Sequence, residues 1–303
     1  MKSIRLFVQL SRPLHILSAI LVYLLGISLA HYLTGQTDWK SLIYGLAWII
    51  LLLLAAQYFN EYFDPQALVN DPVRKHTPFS GVSAALGSGK LPRPVALWAG
   101  LTCLAFAASL TVLLMQFMHN KQAVLFIYGV ILMAELFYAL PPFRLVSSGY
   151  GEFLLSIITV ALVPALAYLM QVHEMHRLLA MVVFPLTTLH ISMLLALEFP
   201  DYASDIRQEK RSMLVRVGWQ RGMLLHNVLI LLSFVILGLA FILGLPLSVA
   251  WPIILVLPVA LYQVWMMNRI ADGAKPNWNL LILIAIASFG LAGYILTFAF
   301  WTH

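Results

Sequence analysis

The sequence predicts an all-α, polytopic membrane protein: a bundle of nine transmembrane helices around a central cavity. Three observations carry that expectation. Of 303 residues, 62% are hydrophobic and only 10% charged, with a mean hydropathy of +0.91, whereas the surface of a soluble domain calls for roughly 25% charged residues. Nine apolar runs each approach the ~20 residues needed to cross about 30 Å of hydrocarbon. Lysine and arginine also segregate between alternate loops.

The runs are Leu14 to Leu33, Leu42 to Phe63, Val95 to Met118, Ala123 to Leu140, Phe153 to Gln171, Leu178 to Phe199, Gly222 to Gly244, Leu247 to Met267 and Trp278 to Trp301. The opening segment, with Lys2 and Arg5, resembles a leader, but the run behind it spans a full bilayer and has no small-residue cleavage site, so a retained first helix is expected. Only Gly244 to Pro246 divides the seventh run from the eighth. The single Cys103 rules out an internal disulfide framework and a multi-cysteine metal site.

The N-terminus and the second, fourth, sixth and eighth loops hold 15 Lys and Arg; the other loops hold only Lys40, Lys121 and Arg177. Cytoplasmic loops carry such an excess. The N-terminus is therefore expected in the cytoplasm, and the net charge of +6 reports topology in the lipid bilayer, with no nucleic acid partner. The second and sixth loops are long and charged, and each follows a helix ending in acidic residues. This suggests a weak internal repeat within one membrane-embedded domain, residues 1–303, with half-units of about 1–140 and 141–303.

Those two helix ends carry the chemistry. The second run ends Asn60-Glu61-Tyr62-Phe63-Asp64, with Asp71, Arg74 and Lys75 beyond; the sixth ends in Glu198, Asp201 and Asp205, followed by Arg207, Lys210 and Arg211. Residues four apart share a helix face, so Asn60 with Asp64, and Asp201 with Asp205 if the helix continues past Pro200, form columns of oxygen ligands with Glu198 one turn before. Oxygen donors of this kind suit Mg²⁺ bound through a few carboxylates and a substrate phosphate, and nothing here has the His and Cys spacing of zinc. Arg74, Lys75, Lys210 and Arg211 would balance a diphosphate, with Thr77, Ser80 and Gly81 donating hydrogen bonds. An apolar tunnel open to lipid would hold an isoprenoid tail, and Phe59, Tyr62, Phe63, Phe137 and Tyr138 are aromatic candidates beside a carbocation.

At these residues the chain resembles the UbiA superfamily of intramembrane prenyltransferases. The resemblance rests on Asn60 to Asp64 with Asp71, on Asp201-Tyr202-Ala203-Ser204-Asp205 and its continuation to Gly218, on Arg12-Pro13, on Thr77-Pro78-Phe79-Ser80-Gly81, and on Tyr138 to Pro142 before Gly149-Tyr150-Gly151-Glu152. It covers most of the first two thirds of the chain. It implies Mg²⁺ dependence and transfer of a prenyl group from its diphosphate to an aromatic acceptor, with Asn60, Asp64, Asp71, Glu198, Asp201 and Asp205 as metal ligands. Lys210 and Tyr138 would join the catalytic set, and Arg144 would join Arg74, Lys75, Ser80 and Arg211 on the diphosphate. Two departures stand out: Asn70 and Asp71 compete for the metal-facing place, and Arg144 occupies the position of an expected basic residue that follows Tyr138. The Asn-Glu-Tyr-Phe-Asp and Thr-Pro-Phe-Ser-Gly wording is most similar to the menaquinone branch, whose acceptor is 1,4-dihydroxy-2-naphthoate. The Lys and Arg count puts both acidic stretches on the cytoplasmic side, and a bacterial cell membrane is the expected location. Alternatives are 4-hydroxybenzoate as acceptor, a terpene cyclase of the same superfamily, or a membrane transporter.

Among the remaining polar residues, Glu152 is expected to start the fifth helix and complement its dipole. Glu135 lies one turn from Tyr138 and either orients an acceptor hydroxyl or makes a structural hydrogen bond. His190 reads more readily as a packing residue than as a ligand, and Trp278 and Trp301 as interface anchors.

Overall fold

The computed structural model describes residues 2–64, 83–118 and 120–303. Asp71, Arg74, Lys75 and Ser80, with Asn70, Thr77 and Gly81, lie outside the described residues. Among the described residues there is no strand, and nine helices are long and apolar enough to cross a membrane. They are Pro13–Thr34, Trp39–Phe63, Pro94–Gln116, Lys121–Ala139, Gly151–Gln171, Arg177–Arg207, Trp219–Ile242, Leu247–Ala271 and Trp278–Thr302, here called the first to ninth spans.

Local chemistry explains where they begin and end. A short helix, Lys2–Leu10, precedes Arg12, which adopts a left-handed φ of 46° and hands the chain to Pro13 at the first turn of the first span. Proline suits that place because its missing N–H would have no partner there anyway. Asp38 caps the second span by accepting from the Lys40 N–H at 3.0 Å. Its far end is held by Arg93, whose Nε donates to the Tyr62 carbonyl at 2.7 Å and whose guanidinium lies over the Tyr62 ring. Cations satisfy the open carbonyls of a helix C-terminus in this way. Between the seventh and eighth spans Gly244 takes φ 104°, so the uncharged turn expected at Gly244 to Pro246 is a real one.

The spans are not equivalent. The fifth and sixth are 72% buried within the protein, the third only 17%. The fifth packs on the first, fourth and sixth, and the sixth also meets the seventh and ninth. The first span approaches the fifth at Gly26, where a Cβ would collide with the Pro164 carbonyl and Ala167. Membrane helices approach closely where a small residue faces the neighbour.

The fifth span is irregular where it is most enclosed. Gly151–Ser156 is α-helical, Ile157–Leu162 forms a π-turn, and Val163–Gln171 resumes the α-helix. Pro164 lacks an N–H to donate back into the turn before it, and a wider turn accommodates that gap. The result is a widened segment of backbone at the junction of the first, fourth, fifth and sixth spans.

Candidate active site

The second span delivers its acidic end with two anchors. Glu61 is buried and accepts from Arg12 Nε at 3.1 Å and Nη2 at 2.5 Å, and from the Ser83 N–H at 3.0 Å and Oγ at 2.8 Å. Burial opposes the charge on Arg12, but Glu61, reinforced by Tyr138 and Asp64, holds its pKa above the usual arginine value. This clamp ties the first span to the second and fixes the rotation of the helix that carries Asn60 and Asp64. Asn60 is 2% exposed, and its Oδ1 has no hydrogen-bond partner. Asp64 ends the helix, with Arg144 Nη2 3.6 Å from its Oδ1.

The sixth span continues past Pro200, as its acidic spacing requires. Glu198 leads into a 3₁₀ turn, Phe199–Asp201, and then into the short helix Tyr202–Arg207. Phe199 holds the turn in place, stacked on Trp278 and edge-on to Trp219, with Tyr202 also against Trp219. Trp278 therefore packs on the acidic end of the sixth span from the start of the ninth. Asp201 and Asp205 are 2% and 1% exposed, and Lys210 Nζ lies 3.6 Å from Asp205 Oδ2.

Glu198 is engaged differently from Asp201 and Asp205. Its Oε2 accepts from the Leu214 N–H at 3.0 Å, while Glu152 accepts from the Met213 N–H at 3.3 Å. Together they hold the N-terminus of the helix Met213–Val217, and with it the loop that brings Lys210 and Arg211 back to the fifth span. Glu152 does stand in the first turn of the fifth span. Arg211 is exposed, and its backbone bridges to Ser148.

The two acidic ends share one region. Arg12 lies within electrostatic reach of Glu61, Tyr138 and Asp64, and Tyr138 within reach of Glu152, Arg12, Glu135 and Glu198. Glu198 in turn feels Lys210, the partner of Asp205. Asn60, Asp64, Asp201, Asp205, Lys210, Arg144 and Tyr138 thus gather at one end of the bundle, whereas Arg211 faces solvent. Of the aromatic candidates, Tyr138 alone joins this set. Phe59 packs where Gly100 leaves room on the third span, Tyr62 lies under Arg93, Phe63 sits edge-on to Tyr62, and Phe137 points outward. Phe137 lines an apolar groove of about 540 Å³ between the fourth and fifth spans with Phe126, Val130, Met133, Leu145 and Leu154.

The donor set fits a hard divalent cation: buried carboxylates and an amide oxygen, with Asn60 Oδ1 lacking any partner. Among the described residues no three His, Cys, Asp or Glu side chains converge tightly enough to hold an ion alone. Mg²⁺ commonly takes a few protein oxygens and completes its shell with water and phosphate. Arg12 and Glu61 were the site-forming pair that sequence spacing did not single out. The available signal was Arg12 standing just before the first span and Glu61 inside the acidic pentapeptide.

Nine apolar helices, with buried acids and cations gathered at one end, define an integral, multi-pass membrane protein built around an intramembrane polar site. The sequence model of the UbiA prenyltransferase family matches residues 19–288, and the chain belongs to that family. Similar solved structures share its fold. A UbiA homologue from Archaeoglobus fulgidus bound to DMAPP and Mg²⁺ is 15% identical, with a TM-score of 0.64 over 95% of this chain and 98% of that one. The same protein bound to GPP and Mg²⁺ is 16% identical, with a TM-score of 0.61 over 96% and 99%. A digeranylgeranylglyceryl phosphate synthase is 14% identical, with a TM-score of 0.62 over 99% and 98%. No curated protein sequence matches the chain.

Proposed function

We propose that this UbiA-type prenyltransferase moves a prenyl group from an allylic prenyl diphosphate to an aromatic acceptor dissolved in the membrane, with 1,4-dihydroxy-2-naphthoate as the acceptor and menaquinone biosynthesis as the setting. The observation that supports the donor half is a pair of buried acidic helix ends, Asn60 with Asp64 and Asp201 with Asp205, each with a cation beside it, Arg144 and Lys210. The Archaeoglobus homologue, similar in fold, was solved with GPP or DMAPP and Mg²⁺. The acceptor half rests on the similarity of the Asn60 to Asp64 and Thr77 to Gly81 wording to the menaquinone branch.

In this scheme Asn60, Asp64, Asp201 and Asp205 hold Mg²⁺, with Asp71 from outside the described residues. The cation supplies charge stabilisation to the departing pyrophosphate. Arg144 and Lys210, each beside a carboxylate, take up the diphosphate charge that remains. The allylic C–O bond breaks with its electron pair leaving on pyrophosphate, and a ring carbon of the acceptor forms the new C–C bond. The ring then loses the group it carried there, a proton or, from a carboxylated position, carbon dioxide. Tyr138, on the inner face of the fourth span, stands beside the developing cation. The groove lined by Phe126, Met133 and Phe137 offers an apolar seat for an isoprenoid tail. The Lys and Arg bias supports a cytoplasmic position for this end of the bundle.

Product analysis with several prenyl diphosphates and with naphthoate and benzoate acceptors tests the proposal. A prenylated 1,4-dihydroxynaphthalene, with or without its carboxylate, is expected. Prenylated 4-hydroxybenzoate would move the acceptor to the alternative class, and hydrocarbon released from donor alone would make the protein a cyclase.

A further inference from the structure

Glu135 takes no part in the donor chemistry, yet its position demands a reason. It lies one turn before the C-terminal end of the fourth span, 1% exposed, on the face that also carries Val124, Tyr128, Ile131 and Tyr138, all buried. That face turns inward: the Tyr128 ring packs on Trp48 of the second span, its hydroxyl approaches Met170 of the fifth, and the span also touches the π-turn. Both carboxyl oxygens of Glu135 lack a hydrogen-bond partner. Tyr138, one turn nearer the acidic end, feels its charge. An ionisable side chain inside a membrane is costly, and a carboxyl without donors forgoes the compensation that water gave it.

A structural acid would be expected to show its partner, as Glu61 and Glu198 do in the same protein. Glu135 presents its carboxyl oxygens on the inward face of the span, and among the described residues no cation pairs with them. What complements that arrangement is an O–H donor to a carboxyl oxygen. The arriving ligand would restore the hydrogen bonds that the empty wall lacks, so the contact favours binding and fixes orientation at once.

Resting on the prenyl-transfer proposal above, we infer that Glu135 is the acceptor-binding residue that receives a phenolic hydroxyl of the aromatic substrate. The hydrogen bond turns the ring so that the carbon to be prenylated faces the donor end near Tyr138. The site selects hydroxyarenes whose hydroxyl is free.

The test compares 1,4-dihydroxy-2-naphthoate with its mono-O-methyl ethers, using the full chain in nanodiscs with geranyl diphosphate and Mg²⁺. Wild-type protein is expected to prefer the free hydroxyl over one of the ethers by about ten- to a hundredfold in kcat/KM, the range of a hydrogen bond to an ionisable group. Glu135→Leu should erase that ratio, and Glu135→Gln, which keeps one acceptor oxygen, should reduce it several-fold, with the donor KM unchanged in both. If the leucine variant does not fold, the glutamine variant decides. An unchanged ratio, or a loss shared equally by the donor and acceptor constants, overturns the inference while leaving prenyl transfer in place. Absence of any prenyl transfer by wild-type protein would instead remove the functional proposal, and this inference with it.

Discussion

Two buried polar clusters in this bundle are built on opposite plans. In the last three spans, His226, Asn227, Gln263, Asn268 and Ser288 form a closed chain. Gln263 Nε2 meets His226 Nε2 at 2.8 Å, His226 Nδ1 meets Asn227 Oδ1 at 3.0 Å, Asn227 donates to Asn268 at 2.6 Å, and Ser288 donates to Gln263 at 3.0 Å. With Gln263 donating its amide proton, every one of these contacts pairs a donor with an acceptor. In the second to sixth spans, by contrast, Gln57 Oε1, Asn60 Oδ1, both oxygens of Glu135 and His190 Nε2 are buried without partners. A satisfied network fixes how helices pack, whereas open acceptors in a low-dielectric interior are costly unless something arrives to fill them. The difference teaches where to look for ligands: in the half of the bundle that leaves its polar groups unpaired.

The largest effect that would break this contrast belongs to the open cluster. Asp64→Ala or Asp205→Ala should cut prenyl transfer by about a thousandfold while leaving the protein inserted and folded, because charge stabilisation of the leaving group is the main catalytic contribution. Product formation at saturating donor, alongside gel filtration in detergent, checks both halves. Retained turnover would remove these carboxylates from the mechanism.

Next comes the clamp that positions the open cluster. Arg12→Ala leaves Glu61 buried with only Ser83 to satisfy it. Loss of one partner of a buried ion pair costs about 3–5 kcal/mol in proteins generally. A clear fall in the thermal unfolding midpoint is expected, read by the fluorescence of the purified protein. An unaltered midpoint would mean that the clamp does not hold the first two spans together.

The smallest effect sharpens the comparison from the closed side. Gln263→Leu removes the centre of the network, and the loss should be about 1 kcal/mol, since polar contacts between membrane helices are individually modest. Unfolding should shift slightly while the Michaelis constants for donor and acceptor stay as they were. A selective change in either constant would show that the closed cluster also serves the substrate.

Apolar run length made the nine spans legible, and both acidic helix ends fell where four-residue spacing put them. The 3₁₀ turn through Pro200 lets Asp201 and Asp205 stay in helical register. What the sequence concealed were pairings across long separations. Arg12 and Glu61 are 49 positions apart, and Glu198 meets the Leu214 backbone 16 positions on. No local period encodes either. His226 joins a network whose other members, Gln263 and Ser288, come from other spans, so no local spacing marks it. Glu198 was legible as an acid at the right turn, but its hydrogen bond from Leu214 arises from a loop whose path spacing cannot supply.

The central claim is that the two acidic ends act together on one magnesium-bound diphosphate. Equilibrium binding of geranyl diphosphate to wild-type, Asp64→Ala and Asp205→Ala proteins, each with and without Mg²⁺, tests it most directly. Tight binding is expected only for the wild type with Mg²⁺, with either substitution weakening it by at least about tenfold. Equal affinity without the cation, or loss on substitution at one end alone, would contradict a shared site.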